Sequence, residues 1–158
     1  FVSKAEVRRW PFWGAMAAMA GTIFIDRGRK RDTVRVLREM DRAFERGDSV
    51  VVFPEATSTD GSTIWPFKSS LLAAAAAAGN PVEWMTVRYH TPDPETSARL
   101  QVCWWGDMGF FRHFLGLCAL RRIEARVAFG DQPQSQGDRK ALARTLRTLM
   151  LNRHQPVR

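Results

Sequence analysis

The chain has 158 residues, of which 45% are hydrophobic and 25% are charged. This length and composition suit one globular domain with its own core and exclude a disordered chain. With 24 Lys and Arg against 16 Asp and Glu, the formal net charge is +8. The charge therefore favours an anionic partner: nucleic acid, an acidic lipid surface or a phosphorylated substrate.

The apolar residues and the cysteines exclude further classes of protein. No run reaches the roughly 18 apolar residues that a membrane-spanning helix needs. Cys103 and Cys118 form no C-x-x-C motif and lie at no zinc-ligand spacing from a histidine, so the sequence predicts buried thiols without a disulfide or metal site. The chain begins with Phe1 in the tail of a predicted strand, and we expect the natural protein to extend further upstream.

Strands and helices alternate in the first half of the chain. The pattern predicts a strand end at 1–4, a small-residue helix at 15–20, a strand at 22–26, an amphipathic helix from Asp32 to Gly47 and an apolar strand at 50–53. Strands that alternate with helices form right-handed βαβ units. The sequence therefore predicts a single α/β domain over 1–158 with a mostly parallel central sheet, helices on both faces, and 50–53 as a central strand.

The second half continues with elements of both kinds. The predicted elements are a helix from Ser69 through six alanines to Gly79, strands at 80–89, 100–105 and 123–129, an aromatic helix at 110–120 and an amphipathic helix from Asp138. We expect the aromatic helix in the core. The last helix is expected to cover the sheet, with an anionic membrane as the alternative neighbour.

A polar loop follows the predicted central strand. After Pro54 it offers a carboxylate at Glu55, hydroxyls at Thr57 and Ser58, a flexible Gly61 and a cation at Lys68. In open α/β sheets, ligands bind outside the carboxyl ends of the strands. The loop therefore predicts a site for a small polar headgroup; an ordinary turn is the alternative interpretation.

The residues of this loop resemble the third signature block of the glycerolipid acyltransferases, F-P-E-G-T-R followed by G, F and K. Here the block reads Phe53-Pro54-Glu55-Ala56-Thr57, then Gly61, Pro66-Phe67 and Lys68. Ala56 stands where the family has Gly, and Ser58 stands where it has Arg. The second departure leaves the acceptor headgroup open.

Other segments extend the resemblance over roughly the first 90 residues. Residues 21–27 match the second block, G-x-x-F-I-x-R, completely, and further matches are Lys4, Glu6, Pro11, Gly14, Pro81 and Val82. The resemblance implies that Arg27 binds the acceptor's phosphate, which suits the forked guanidinium; the alternative is that Arg27 begins a solvated basic run. Both blocks follow strands of one predicted sheet, so we expect Arg27 and Glu55 to face one ligand.

The family's catalytic block, N-H-x-x-x-x-D, is not found in this chain. Acyl transfer to an alcohol needs a base, yet of His90, His113 and His154 only His90 has an acid, Glu95, five residues later, and it lies in a Pro-rich turn. The resemblance implies that the catalytic His and Asp lie upstream of Phe1. We therefore expect residues 1–158 alone to lack turnover.

The resemblance implies a membrane-associated enzyme of lipid synthesis. It would move a fatty acyl group from acyl-CoA or acyl-carrier protein to a lysophospholipid such as 1-acylglycerol-3-phosphate, at the cytoplasmic face of an anionic membrane, without a metal or another cofactor. The substrate-binding residues would be Arg27, Glu55, Ala56, Thr57, Ser58, Gly61 and Lys68. Alternatives are acylation of lyso-ornithine lipid, or a non-catalytic basic module that binds membranes or nucleic acid; nucleic acid is not expected.

Overall fold

A computed structural model describes residues 1–26, 28–93 and 95–158 of the chain. Its strands are β1 (Val2–Lys4), β2 (Ile23–Ile25), β3 (Met85–His90) and β4 (Glu124–Phe129). Its α-helices are α1 (Trp13–Met19), α2 (Lys30–Glu45), α3 (Ala73–Ala78), α4 (Ala98–Gln101), α5 (Phe110–Ala119) and α6 (Arg139–Arg153). Short 3₁₀ helices at Ala5–Arg9 and Ser69–Leu72 precede α1 and α3.

The N-terminal half is built around a parallel pair of strands. β1 and β2 run parallel, with Ser3 opposite Phe24, and α2 packs on them through a cluster of Ile25, Val36, Met40 and Ala74. The single small α/β domain predicted from the alternating pattern is confirmed. The larger parallel sheet is not, because the parallel sheet of the described residues has two strands.

Residues 50–53 do not form the predicted central strand. The backbone N–H of Val2 donates to the carbonyl of Val51 at 3.0 Å, which places the segment beside β1. No strand is assigned there, and Phe53 is exposed. A buried central strand requires backbone partners on both sides, so in the described part of the chain the segment is an edge neighbour of β1.

The start of α2 differs from the prediction and fixes the end of β2. Asp32 lies in the first turn of α2 and is not the N-cap residue. Its carboxylate accepts hydrogen bonds from the Arg35 guanidinium and from the backbone N–H of Asp26, and these lower the pKa of Asp32 to about 2. Gly47, with a φ of 81°, follows the helix as predicted. The charged pair of α2 thus holds the backbone immediately before residue 27.

The C-terminal half contains an antiparallel hairpin and the closing helix. β3 pairs with β4 in antiparallel register, and the buried Leu142, Ala143 and Leu146 of α6 pack with Leu72 and Trp84. The helix was predicted to begin at Asp138, and this residue is its N-cap, because its side chain accepts from Lys140 N–H. The helix was predicted to cover the sheet; it packs on the core as a cover, but its buried residues meet Leu72 and Trp84 and not the parallel pair of strands.

Two predictions for the second half are wrong. Residues 100–105 form no strand: the carbonyl of Ser97 accepts from the N–H groups of Leu100 and Gln101, which begins α4. The apolar residues after it are covered by the C-terminal tail, where Val157 packs against Cys103. Cys103 is buried as predicted, but Cys118 is exposed, since the α5 face that carries it has no covering element among the described residues.

Helices α1 and α5 form an aromatic layer at the surface, where a core helix was predicted. The Trp13 and Phe114 rings meet at 5.4 Å and the Trp10 and Phe110 rings at 4.1 Å, yet no residue of α5 is buried. The exposed large hydrophobic side chains of the layer are Phe12 before α1, Met16 and Met19 on α1, and Phe111 and Leu115 on α5. Among the described residues, none of the helices has the length and apolar character needed to cross a bilayer.

Candidate functional site

The polar loop at 54–68 is closed by hydrogen bonds between its two ends. The N–H of Lys68 donates to the carbonyl of Pro54 at 2.7 Å. The N–H of Trp65 donates to the carboxylate of Glu55, also at 2.7 Å. Ile64, between these contacts, is buried. The loop is therefore a fixed structure, although it contains no helix or strand.

Glu55 has a structural contact in addition to the ligand contact predicted for it. Burial raises the pKa of its carboxyl, while the Trp65 N–H and the nearby His154 and Arg147 act in the opposite direction. A buried carboxylate is costly unless hydrogen bonds and cations compensate it. Glu55 thus shapes the loop from within; its contact with a substrate headgroup stays a prediction.

The backbone of the loop enters the left-handed region at two positions. Gly61 has a φ of 73°, and a Cβ placed there would lie 2.5 Å from Cγ2 of Val157. Ala56 has a φ of 61°, a conformation that disfavours every residue with a Cβ. The sharp turn predicted at Gly61 is confirmed. At Ala56 the backbone adopts a conformation suited to the Gly of the family block.

Of the binding residues predicted in the loop, Thr57, Ser58 and Lys68 are exposed. The Thr57 hydroxyl lies 3.5 Å from the Ser58 carbonyl, at the outer limit for a hydrogen bond. These three side chains lie where a headgroup in solvent can reach them. Arg27 lies outside the described residues, so its predicted approach to Glu55 stays a prediction.

Residues from the last third of the chain support the loop. Arg147 of α6 donates to the carbonyls of Ile64 at 2.8 Å and of Trp65 at 3.1 Å. The N–H of Val157 donates to the Gly61 carbonyl, and Arg99 pairs with Asp60 at 2.7 Å. None of these three supporting residues was predicted to take part in the site.

A signal for Arg147 was present in the sequence. The residue lies four positions after Ala143, which is buried, and three before the partly buried Met150. Residues at these spacings share one face of a helix, so Arg147 borders the apolar stripe of α6. The pattern could have indicated its inward position, but the carbonyl groups that it binds could not be found without the tertiary structure.

The three histidines occupy different environments. His90 is exposed, and the Nε2 of His113 lies 3.2 Å from the Val102 carbonyl. His154 alone has a charge interaction with Glu55. Within the described residues, no group of three or more His, Cys, Asp or Glu is arranged to hold a metal ion.

Comparison with known proteins places these features in a family. The acyltransferase family model matches residues 1–90. No solved structure is significantly similar to the chain. Since the family match ends at residue 90, the supporting contacts of Arg99, Arg147 and Val157 lie outside it.

Curated relatives match over most of the chain. It is 35% identical to a lyso-ornithine lipid O-acyltransferase of Brucella abortus, over 92% of this chain and 59% of the relative. A lyso-ornithine lipid O-acyltransferase of Rhizobium meliloti is 33% identical, over 83% of this chain and 48% of the relative. A 1-acyl-sn-glycerol-3-phosphate acyltransferase of Neisseria meningitidis is 32% identical, over 90% of this chain and 55% of the relative. From the loop and these matches together, the chain belongs to the glycerolipid acyltransferase family.

Proposed function

We propose that the protein is an O-acyltransferase that esterifies the hydroxyl of a lysolipid. The observation that carries the proposal is the closed loop at 54–68, whose residues follow the family block and whose backbone at position 56 adopts a conformation suited to that block's Gly. The relatives named for lysolipid acylation support it. The chain spans about half of those relatives' lengths, so the proposal concerns the full-length protein.

The proposed reaction transfers an acyl group from the sulfur of a thioester to the oxygen of the lysolipid hydroxyl. The lysolipid hydroxyl attacks the carbonyl of an acyl thioester, the new C–O ester bond forms and the C–S bond breaks. A base accepts the hydroxyl proton and returns it to the leaving thiolate. We propose acyl-CoA or acyl-carrier protein as the donor, and a His with its Asp, upstream of residue 1, as the base.

The loop would bind the acceptor. Thr57, Ser58 and Lys68 offer hydroxyls and a cation at its surface, and Glu55 and Gly61 hold its shape. In the proposed full-length enzyme, residues 50–53 beside β1 form a third strand of a larger parallel sheet with helices on both faces. The hydrogen bond from Val2 to Val51 supports that arrangement.

The charge of the loop favours lyso-ornithine lipid as the acceptor. Lys68 is the one cation in the sequence of the loop at 54–68, because Ser58 replaces the Arg of the family block. A phosphate monoester is bound most strongly by cations, whereas an ornithine headgroup carries an ammonium as well as a carboxylate. The second candidate is 1-acylglycerol-3-phosphate, which the complete block ending at Arg27 favours.

We also propose that the exposed layer of α1 and α5 contacts an anionic membrane at the cytoplasmic face. Phe12 and Met19, and Phe111 and Leu115, are all more than half exposed. Exposed apolar patches with basic residues nearby suit an interfacial surface, and Arg112 lies on α5. A nucleic-acid partner is not part of the proposal.

The test compares the two acceptors with the full-length protein. Thioester consumption should be faster with lyso-ornithine lipid than with 1-acylglycerol-3-phosphate. Arg27→Ala should lower kcat/KM for the preferred acceptor about 30- to 1000-fold, because either headgroup presents an anion to the guanidinium. Arg29→Ala is the matched control; its side chain is largely exposed, so a small loss is expected.

Three outcomes would contradict parts of the proposal. No turnover with either lysolipid would refute the function itself. Equal losses from Arg27→Ala and Arg29→Ala would indicate a diffuse electrostatic surface in place of an anion pocket. Robust turnover by residues 1–158 alone would refute the upstream position of the base.

A further inference from the structure

A cavity of about 220 Å³ lies between the β3–β4 hairpin and the residues that follow α6. The hairpin lines it with Thr86, Val87, Arg88, Arg126, Val127 and Ala128, and the C-terminal side with Arg153, His154 and Gln155. No residue of the loop at 54–68 lines this cavity. Its lining is therefore distinct from the proposed acceptor site, although His154 has a charge interaction with Glu55 of the loop.

The hairpin register places two arginines directly opposite each other. Arg88 pairs with Arg126 across the antiparallel ladder, so both side chains leave the same face of the sheet. Like charges in directly opposite positions destabilise a strand pair. An anion bound between the two guanidinium groups would offset this repulsion.

The carboxylates near the cavity compensate the other arginines and not Arg88. Arg153 pairs with Asp131, and Arg126 lies 3.8 Å from Glu124. Within the described part of the chain, no ion pair of Arg88 with a carboxylate is found, and its guanidinium donates to the neutral side-chain amide of Gln155. The positive charge of Arg88 is thus uncompensated at a partly buried position.

Two polar atoms at the cavity are buried without a hydrogen-bond partner. They are Nε of Arg88 and Nε2 of His154. A buried polar atom that forms no hydrogen bond costs about 1–3 kcal/mol, and more when the group is charged. Both atoms can donate a proton, Nε2 of His154 in the appropriate tautomer or in the imidazolium form. Two residues that line the cavity thus each carry a donor without a partner.

We propose that this cavity is a binding site for a phosphate group. Arg88 and Arg126 supply the cationic groups, and His154 supplies a further hydrogen-bond donor. Guanidinium groups bind phosphate oxygens through paired, charge-assisted hydrogen bonds. The phosphate belongs either to a soluble compound or to a lipid headgroup, since both present the same oxygens. The site does not depend on the proposed acyl transfer, because it shares no residue with the loop.

The experiment measures thermal unfolding and binding of the full-length protein with inorganic phosphate at constant ionic strength. A ligand that binds only the folded state stabilises it by RT ln(1 + L/Kd), where L is the free ligand concentration, so Tm rises with that concentration. We expect phosphate to raise the Tm of the wild type. Arg88→Gln and Arg126→Gln should each weaken phosphate binding about tenfold or more. Arg144→Gln, an equal charge change at an exposed position of α6, should weaken it less than about twofold.

A second arm identifies the source of the phosphate. Vesicles of phosphatidylcholine with and without phosphatidic acid are tested by co-sedimentation with the same variants. Binding to inorganic phosphate without selective binding to phosphatidic acid vesicles indicates a soluble ligand. Selective binding to phosphatidic acid vesicles without a response to inorganic phosphate indicates a lipid headgroup. Either result supports the site when Arg88→Gln or Arg126→Gln abolishes it and Arg144→Gln does not.

The proposal is overturned if neither probe binds, or if all three variants lose binding equally. Arg126→Gln protects the test against misfolding, because this side chain is 67% exposed and its truncation removes little packing. Acylation activity is measured in parallel. If acylation is absent but phosphate binding is intact, the result contradicts the proposed function and leaves the phosphate site supported.

Discussion

The loop at 54–68 and the β3–β4 hairpin differ in how they are held. The loop has no regular secondary structure, yet its carbonyls and side chains bind Arg147, Arg99 and Val157. The hairpin has a complete antiparallel ladder, but its apolar side chains lie largely at the surface, with Phe129 66% exposed. Regular hydrogen bonding therefore does not indicate which segment is fixed by tertiary contacts.

The difference has a consequence for substitutions. Where the tail and α6 contact the loop, a substitution meets a packed side chain or removes the donor of a carbonyl, so its cost includes clashes and unsatisfied carbonyls. On the outer face of the hairpin, side chains have solvent around them, and substitutions away from buried features usually change stability by less than about 0.5 kcal/mol. Loop variants should consequently be the more damaging ones.

The largest effect is expected for Gly61→Ala. The added Cβ would lie 2.5 Å from Val157 Cγ2, and the φ of 73° is itself unfavourable for Ala. The combined cost should be about 2–4 kcal/mol in the free energy of unfolding. Urea denaturation of the full-length protein, monitored by circular dichroism, measures this cost.

Gly79→Ala is the control for Gly61→Ala. Gly79 has a φ of 67°, but no atom lies within 4 Å of the position of an added Cβ. Gly79→Ala should therefore lower the free energy of unfolding by only about 1 kcal/mol, because of backbone strain. Val157→Ala should recover part of the loss at Gly61 in a double-mutant cycle. Equal losses at both glycines would refute the contact between the tail and the loop.

Arg147→Met should have the next largest effect. Methionine keeps the apolar stem but leaves the carbonyls of Ile64 and Trp65 without their donor, which should cost about 1–3 kcal/mol. The same substitution in the hairpin, Arg126→Met, serves as the comparison and should cost less than about 0.5 kcal/mol in phosphate-free buffer. The denaturant midpoints of the two variants measure these costs. An equal shift of the midpoint in both variants would contradict the claim that the loop depends on tertiary contacts more than the hairpin does.

The sequence predicted local structure well and tertiary surroundings poorly. The helix from 30 to 45, the strands of the hairpin and the start of the last helix at Asp138 follow from the periodicity of apolar residues, which acts between near neighbours. The alternation in residues 124–129 indicated a strand with one apolar face, but not that this face would be exposed. That outcome depends on which elements pack against the sheet.

The candidate site shows the same limit. The block from Phe53 to Lys68 identified the loop, and Gly61 was correctly predicted to make a sharp turn. The contacts from Arg147 and Val157 join positions more than 80 residues apart, and no local pattern specifies such pairs. No strand is assigned at 50–53 for a related reason. A regular strand depends on neighbouring strands, and the apolar residues of the segment do not specify these.

The smallest effect, and the only one of opposite sign, is expected for Ala56→Gly. Ala56 has a φ of 61°, where a Cβ costs roughly 1–2 kcal/mol. Glycine removes that cost but loses more chain entropy on folding, by roughly 0.5–1 kcal/mol. The substitution should therefore stabilise the protein by about 0.5–1 kcal/mol.

The same substitution in a helix supplies the control. Ala77 is an exposed residue of α3, and Ala77→Gly should destabilise by about 1 kcal/mol, because glycine is a poor helix former. Chemical denaturation of both variants side by side should show opposite signs. A loss of stability at both positions would contradict the left-handed backbone at Ala56, and with it the similarity of this turn to the Gly-containing block of the family.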